Sequence, residues 1–342
     1  MHKIGVLGSG SWATALTKIM TDNGQHVHWW VRNPDSIKHI EQHHNNPHYL
    51  SAANFNITNL SLYHNVNNMV AAANVIILAV PAAYIGSVLQ QITADNFKDK
   101  YFITAVKGIL PESNILINEM LLQQYNVPLN NYFAIMGPCH AEEVAAQKLS
   151  YLTLAGIDEV KTLALAKCFE TPYIKVGTST DIFGVQYAAV LKNIYALGAG
   201  VAHGLDYGDN FLSVLMSNSA NEMVHFLRKQ NEYMAAQGSV SYNEKNTPNF
   251  ASSVYLGDLL VTCYSLYSRN RSFGTMIGKG YSVKAAQLEM NMVAEGYNAS
   301  KCIHILNQKV VASIPIAETV YKILHEGLHP RLGFKSIEAE LS

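Results

Sequence analysis

Three clusters in the chain have the residue types and spacing to do chemistry. Lys192 stands in DIFGVQYAAVLKNIYALGAG (181–200), where nearly every neighbour is apolar or small. At helical spacing the residues one turn away are Ala188, Ala189, Tyr195 and Ala196. An ammonium buried there without a partner is costly, and burial lowers a lysine's pKa. Lys192 is therefore either a general base, with Asn193 beside it as donor and acceptor, or half of a buried ion pair. Asp258, set in the apolar frame LGDLL (256–260), is a carboxylate able to pair with a buried lysine. Ser268, Arg269, Asn270 and Arg271 put two guanidiniums beside two neutral hydrogen-bonding side chains. That set suits a phosphate, or forms an exposed basic turn.

The third cluster is GSGSWA, from Gly8 to Ala13, a glycine loop whose last position is alanine. It follows an apolar run (3–7) and precedes a helical pattern (12–22) that stops at Asn23-Gly24, and a second strand-like run (26–31) comes next. Strand, glycine turn, helix and strand within this length make one βαβ unit. Gly8 allows the tight turn, Gly10 lets a pyrophosphate approach the backbone, and the helix N-terminus supplies free N–H groups. Together these predict a dinucleotide site. The second strand ends at Arg32-Asn33 with no carboxylate until Asp35, which favours a 2′-phosphate and hence NADP, or tolerance of NAD as well.

Further apolar runs lie at 75–80, 101–106 and 132–137, and 151–156 and 173–176 extend the set. Continuous apolar strands are what a parallel sheet covered on both faces needs. Ligands of such a sheet sit beyond the carboxyl ends of the strands. Lys107, just past one run, reaches an anionic substrate or the cofactor, or snorkels to the surface. Gly137-Pro138 turns the chain with Cys139 and His140 at the mouth. These two neighbours rarely face each other in a turn, which argues against a nucleophilic pair. Beyond about residue 180, helical spacing takes over at 181–202, 210–231, 282–292, 295–309 and 316–326, and 236–249 is polar and turn-rich. The expected fold is α/β: a Rossmann-like, doubly wound, mostly parallel sheet over 1–180, followed by an all-α domain over 181–342.

The bulk composition agrees. A 342-residue chain exceeds one compact core. A hydrophobic share of 49% against 14% charged residues excludes disorder. Net charge of −1 gives no global field toward nucleic acid or an anionic membrane. The apolar run at the N-terminus breaks on Gly5, Gly8 and Gly10, so no signal peptide is expected. Lys192 and Asn193 interrupt 185–202, so no membrane span is expected either. The 4 cysteines are scattered, as in a reduced cytoplasm, and no metal site is expected.

In this order, GSGSWATA (8–15), VKGI (106–109), GPCHAEEV (137–144), GVQYAAVLKNIYALGAGVAHGLDYGDN (184–210), LGDLLVTCYSLYSRNRSFG (256–274), VAEG (293–296) and IPIAETVYKILHEG (314–327) resemble the bacterial NAD(P)-dependent glycerol-3-phosphate dehydrogenases. The resemblance runs from the first strand to about residue 328. It implies that Ser11, Trp12, Arg32, Ala141, Val293 and Glu295 contact the dinucleotide. It implies that Lys107 touches cofactor and substrate, and that Gly137 and Cys139 line the glycerol phosphate site. Lys192 would accept the proton. Asp258, Ser268, Arg269 and Asn270 would complete the substrate site, with Arg269 also near the cofactor. The implied reaction interconverts sn-glycerol 3-phosphate and dihydroxyacetone phosphate, in the cytoplasm, for glycerophospholipid synthesis, with a homodimer as the assembly to test.

The sequence departs from that family at Ala13, where glycine is usual, and at Cys139, where serine or threonine is common and a thiol bonds more weakly. SSVY before Leu256, a long 236–249 loop and His203 in place of an acid are further departures. Two other readings of the same residues are a related two-domain hydroxyacid reductase and a non-catalytic NADPH-binding sensor.

Overall fold

The computed structural model describes residues 2–238, 247–290 and 294–342. The chain forms two compact units, Met1–Leu110 with Ile115–Ile182, and Pro111–Asn114 with Phe183–Ser342.

The first unit is built on an eight-stranded sheet in the order β3-β2-β1-β4-β5-β6-β7-β8. The strands are β1 (Ile4–Leu7), β2 (Val27–Trp30), β3 (Leu60–Tyr63), β4 (Val75–Leu78), β5 (Tyr101–Thr104), β6 (Tyr132–Met136), β7 (Ser150–Ala155) and β8 (Ile174–Ser179). All neighbours pair parallel except β6 with β7. The inner strands IGVL and VIIL are buried at every position, which is why their sequences carry no alternation. β3 (LSLY) is an edge strand, only half-buried, and its mixed pattern hides it in the sequence. The apolar runs extend a residue or two past several strands because Val31, Val80 and Val106 are buried in the turns that follow. Chain order reverses between β1 and β4, the crevice where a doubly wound sheet takes its ligands.

The second unit is helical. It contains the lysine helix Ile182–Gly204, the long helix Asp209–Ala236, and the helices Asp258–Tyr264, Arg269–Gly278, Val283–Glu289, Glu295–Val310, Pro315–His325 and Pro330–Ile337. Residues 239–246 of the polar 236–249 stretch lie outside the described residues, as do 291–293. The SSVY departure folds into the π-helical turn Ser253–Gly257, which runs directly into the helix opened by Asp258. Among the described residues no helix is long and apolar enough to cross a membrane.

Glycines hold the helical unit together. A Cβ at Gly274 would collide with the Leu197 carbonyl, and one at Gly200 with the Arg271 carbonyl. Gly204 and Gly278 repeat the arrangement one turn on, so the lysine helix and Arg269–Gly278 pack backbone against backbone. A Cβ at Gly296 would sit 2.6 Å from the Asn193 carbonyl, bringing Glu295–Val310 onto the same helix.

Candidate active site

In the first unit, the site begins where β1 ends. Gly8 has φ +130°, and a Cβ there would lie 2.5 Å from the Ala79 carbonyl oxygen, so only glycine fits between β1 and β4. Two side chains hold the loop from behind. Trp29 Nε1 donates to the Gly8 carbonyl at 2.7 Å, and Asn46 Nδ2 donates to the Ser9 carbonyl at 3.1 Å and to Thr14 Oγ1 at 2.9 Å. Sequence reasoning misses Asn46: nothing in the polar HNNPH stretch (44–48) sets it apart from Asn45, yet in the structure it is 2% exposed.

The groups present fit a dinucleotide. A Cβ at Gly10 would meet nothing within 4 Å, which leaves the backbone open to a pyrophosphate. Gly10 caps the helix Ser11–Asp22 with no side-chain bond, so the first-turn N–H groups face outward with the positive end of the helix dipole. Trp12 Nε1 is buried and has no hydrogen-bond partner among the described residues, as expected of a donor reserved for a ligand. The Lys107 ammonium stands 5.1 Å from the centroid of the Trp12 ring, a cation–π pair that ties the β5 turn to the glycine loop. Arg32 is exposed just past β2. Gly137 has φ +133°, and a Cβ there would lie 2.8 Å from the Tyr151 carbonyl oxygen. Cys139 is buried, and Ala141 opens the short helix Ala141–Ala145.

In the second unit, Lys192 and Asp258 form an ion pair through Nζ and Oδ1, with the two residues 3% and 2% exposed. Of the two readings of Lys192, the ion pair is what the structure shows: a buried lysine with a carboxylate partner. Asp258 Oδ2 is buried and has no hydrogen bond among the described residues, so the pair is not saturated. Burial pushes the nearby Cys263 thiol up to about 12, and it stays neutral beside the lysine. Asn270 Nδ2 donates to Asn193 Oδ1 at 2.9 Å, and the Gly296 N–H donates to Asn270 Oδ1 at 2.9 Å. Asn270 therefore pins the lysine helix and the start of Glu295–Val310 together, and one of its amide N–H groups is left over.

The Ser268–Arg271 cluster is not a simple exposed turn. Ser268 is buried and caps the helix Arg269–Gly278, accepting the Arg271 N–H at 3.3 Å. The two guanidiniums do not act as a pair. Arg271 donates to the Tyr264 carbonyl at 2.6 Å, while Arg269 is exposed with no hydrogen bond or ion pair among the described residues. Glu295 begins its helix, and Val293 lies outside the described residues. The expected residues thus fall into two groups, one in each unit.

Comparison with known proteins adds the family. The N-terminal part of NAD-dependent glycerol-3-phosphate dehydrogenase matches residues 3–161, and the C-terminal part matches residues 181–335. The chain is 33% identical over 338 residues to glycerol-3-phosphate dehydrogenase [NAD(P)+] of Macrococcus caseolyticus, covering 98% of each chain. It is 32% identical over 340 residues to the enzyme of that name from Bacillus subtilis, covering 99% of this chain and 94% of the relative. The solved glycerol-3-phosphate dehydrogenase of Coxiella burnetii superposes with a TM-score of 0.84 at 26% identity, covering 98% of both chains. With its glycine loop, its buried lysine and these matches along nearly its full length, the chain belongs to the NAD(P)-dependent glycerol-3-phosphate dehydrogenase family.

Proposed function

We propose that this protein interconverts sn-glycerol 3-phosphate and dihydroxyacetone phosphate with NADP or NAD, and that Lys192 carries the proton. The observation that carries the reading is the buried Lys192–Asp258 pair on the glycine-locked helices of a chain of this family.

Bound nicotinamide dinucleotide supplies or accepts the hydride. Gly8, Gly10, Ser11 and Trp12 would hold its pyrophosphate side, with Arg32 on the adenosine ribose and Lys107, Ala141, Arg269, Val293 and Glu295 as further contacts. In oxidation, Lys192 takes the hydroxyl proton as the C–H bond gives up its hydride, and the carbonyl forms. In reduction, the Lys192 ammonium stabilises the developing alkoxide and then protonates it. Asp258 keeps that ammonium charge compensated in a buried place. Arg269 has its guanidinium free to grip the substrate phosphate, with Ser268, Asn270, Lys107, Gly137 and Cys139 lining the rest, and this grip holds the reacting carbon in place. Arg32 supports use of NADP together with NAD. We place the enzyme in the cytoplasm as a homodimer supplying glycerophospholipid synthesis.

Lys192→Ala tests the assignment. Turnover of dihydroxyacetone phosphate should fall by about 10²–10⁴-fold, the usual worth of a positioned proton donor, while NADPH still binds in a fluorescence titration. Near-normal turnover in that variant removes Lys192 from the mechanism.

A further inference from the structure

The glycine loop between β1 and the helix Ser11–Asp22 has three consecutive carbonyls, and each meets a donor from within the sheet unit. Trp29 Nε1 donates to the Gly8 carbonyl at 2.7 Å, and Asn46 Nδ2 donates to the Ser9 carbonyl at 3.1 Å. The Gly10 carbonyl accepts both the Thr14 N–H and the Thr14 hydroxyl at 2.9 Å. Asn46 reaches this third carbonyl as well. Its Nδ2 also donates to Thr14 Oγ1 at 2.9 Å, and the hydroxyl's own hydrogen then goes to Gly10. Trp29, Asn46 and Thr14 are all buried, so water does not compete for these bonds.

Peptide geometry turns this pattern toward a ligand. The peptides are trans, and in a trans peptide the C=O and the following N–H point opposite ways. Holding the Gly8, Ser9 and Gly10 carbonyls against the unit therefore turns the Ser9, Gly10 and Ser11 N–H groups away from those donors. None of these N–H groups makes a hydrogen bond among the described residues. Successive free N–H groups of this kind form a nest for an anion. A glycine-rich loop is soft, and a flipped peptide would offer that anion a carbonyl oxygen instead.

We propose that Asn46 is a positioning residue for the dinucleotide: it fixes the Ser9–Gly10 and Gly10–Ser11 peptides so that their N–H groups meet the pyrophosphate. The inference rests on the glycine loop being the dinucleotide site. Asn46 is itself oriented for the task, since its Oδ1 accepts the His48 N–H at 3.0 Å and Nδ2 is left to face the loop. Its neighbour Asn45 pairs instead with the His39 ring, Oδ1 to Nε2 at 2.9 Å, and makes no hydrogen bond to the loop among the described residues.

Three variants separate positioning from general damage. Asn46→Ala removes the donor to Ser9 and Thr14, Thr14→Val removes the relay to Gly10, and Asn45→Ala is the control on the same segment. With dihydroxyacetone phosphate saturating, the KM for NADPH should rise about tenfold to a hundredfold in Asn46→Ala, the usual worth of one or two hydrogen bonds to a charged group. The kcat at saturating NADPH and the KM for dihydroxyacetone phosphate should stay within about twofold of wild type. In calorimetric titrations, the Kd of ADP-ribose, which carries the pyrophosphate without the nicotinamide, should rise by the same factor as that of NADPH. Thr14→Val should weaken NADPH about threefold or more, and it replaces Asn46→Ala should that variant not fold. Asn45→Ala should bind NADPH as wild type does. A wild-type Kd for NADPH in folded Asn46→Ala, or in folded Thr14→Val where it stands in, overturns the inference. So does a KM for dihydroxyacetone phosphate that rises in step with that for NADPH, or an equal loss in Asn45→Ala. If wild type itself binds neither NADPH nor NADH, the glycine loop is no dinucleotide site, and the wild-type titration shows that failure apart from any variant.

Discussion

Lys192 and Asp258 show how charge chemistry can be kept inside an apolar helix. A buried pair adds little net stability, because desolvation offsets the attraction, but breaking it leaves an uncompensated charge. Asp258→Asn should therefore cost about 3–5 kcal/mol in urea unfolding at pH 7 and lose turnover as well. A change below about 0.5 kcal/mol would mean that the pair does not form in solution. The lysine stands out in the sequence because one charge among alanines and leucines needs either a partner or a proton-transfer role. What the side chains do with their free groups is not legible. Arg269 and Arg271 are two positions apart and look equivalent, yet one is exposed and the other is spent on the Tyr264 carbonyl. Asn270 bridges Asn193 and Gly296 and keeps one amide N–H over, a division that its residue type does not announce. Residue type gives the capacity to bond; only the helix phase gives the direction.

At the level of elements, the site depends on how closely helices approach. Gly200 and Gly204 on the lysine helix face Gly274 and Gly278 on Arg269–Gly278, and this contact sets Asn270 against Asn193. Gly274→Ala drives a methyl into the Leu197 carbonyl, in backbone that cannot shift cheaply. The expected result is a loss of about 1–3 kcal/mol in unfolding and a fall in kcat, because the helix that begins at Arg269 must move away. Unchanged stability and kcat would show that the helices have slack there. The core strands and the longer helices can be read from their apolar runs and helical spacing. The edge strand β3, the π-helical turn Ser253–Gly257 and the Asn46 clamp on the glycine loop cannot. The edge strand and the clamp are set by tertiary neighbours, β2 and the glycine loop, and leave little periodic pattern in their own sequence.

For the whole molecule, the division of labour follows the two units. The sheet unit offers an open glycine loop, an uncapped helix N-terminus and a cation–π pair, which are the parts of a dinucleotide cradle. The helical unit offers a charge-compensated lysine and an arginine without a partner among the described residues, which we propose as the proton carrier and the phosphate grip. Ordered motifs along nearly the whole chain make this combination readable in the sequence, since no single glycine loop distinguishes one dinucleotide enzyme from another. The most direct measurement is the steady-state oxidation of NADPH and of NADH by the purified protein with dihydroxyacetone phosphate. The account predicts turnover with both dinucleotides, and a higher kcat/KM for NADPH if Arg32, exposed just past β2, pairs with the 2′-phosphate as proposed. No turnover with either dinucleotide, by protein shown to be folded, would contradict it.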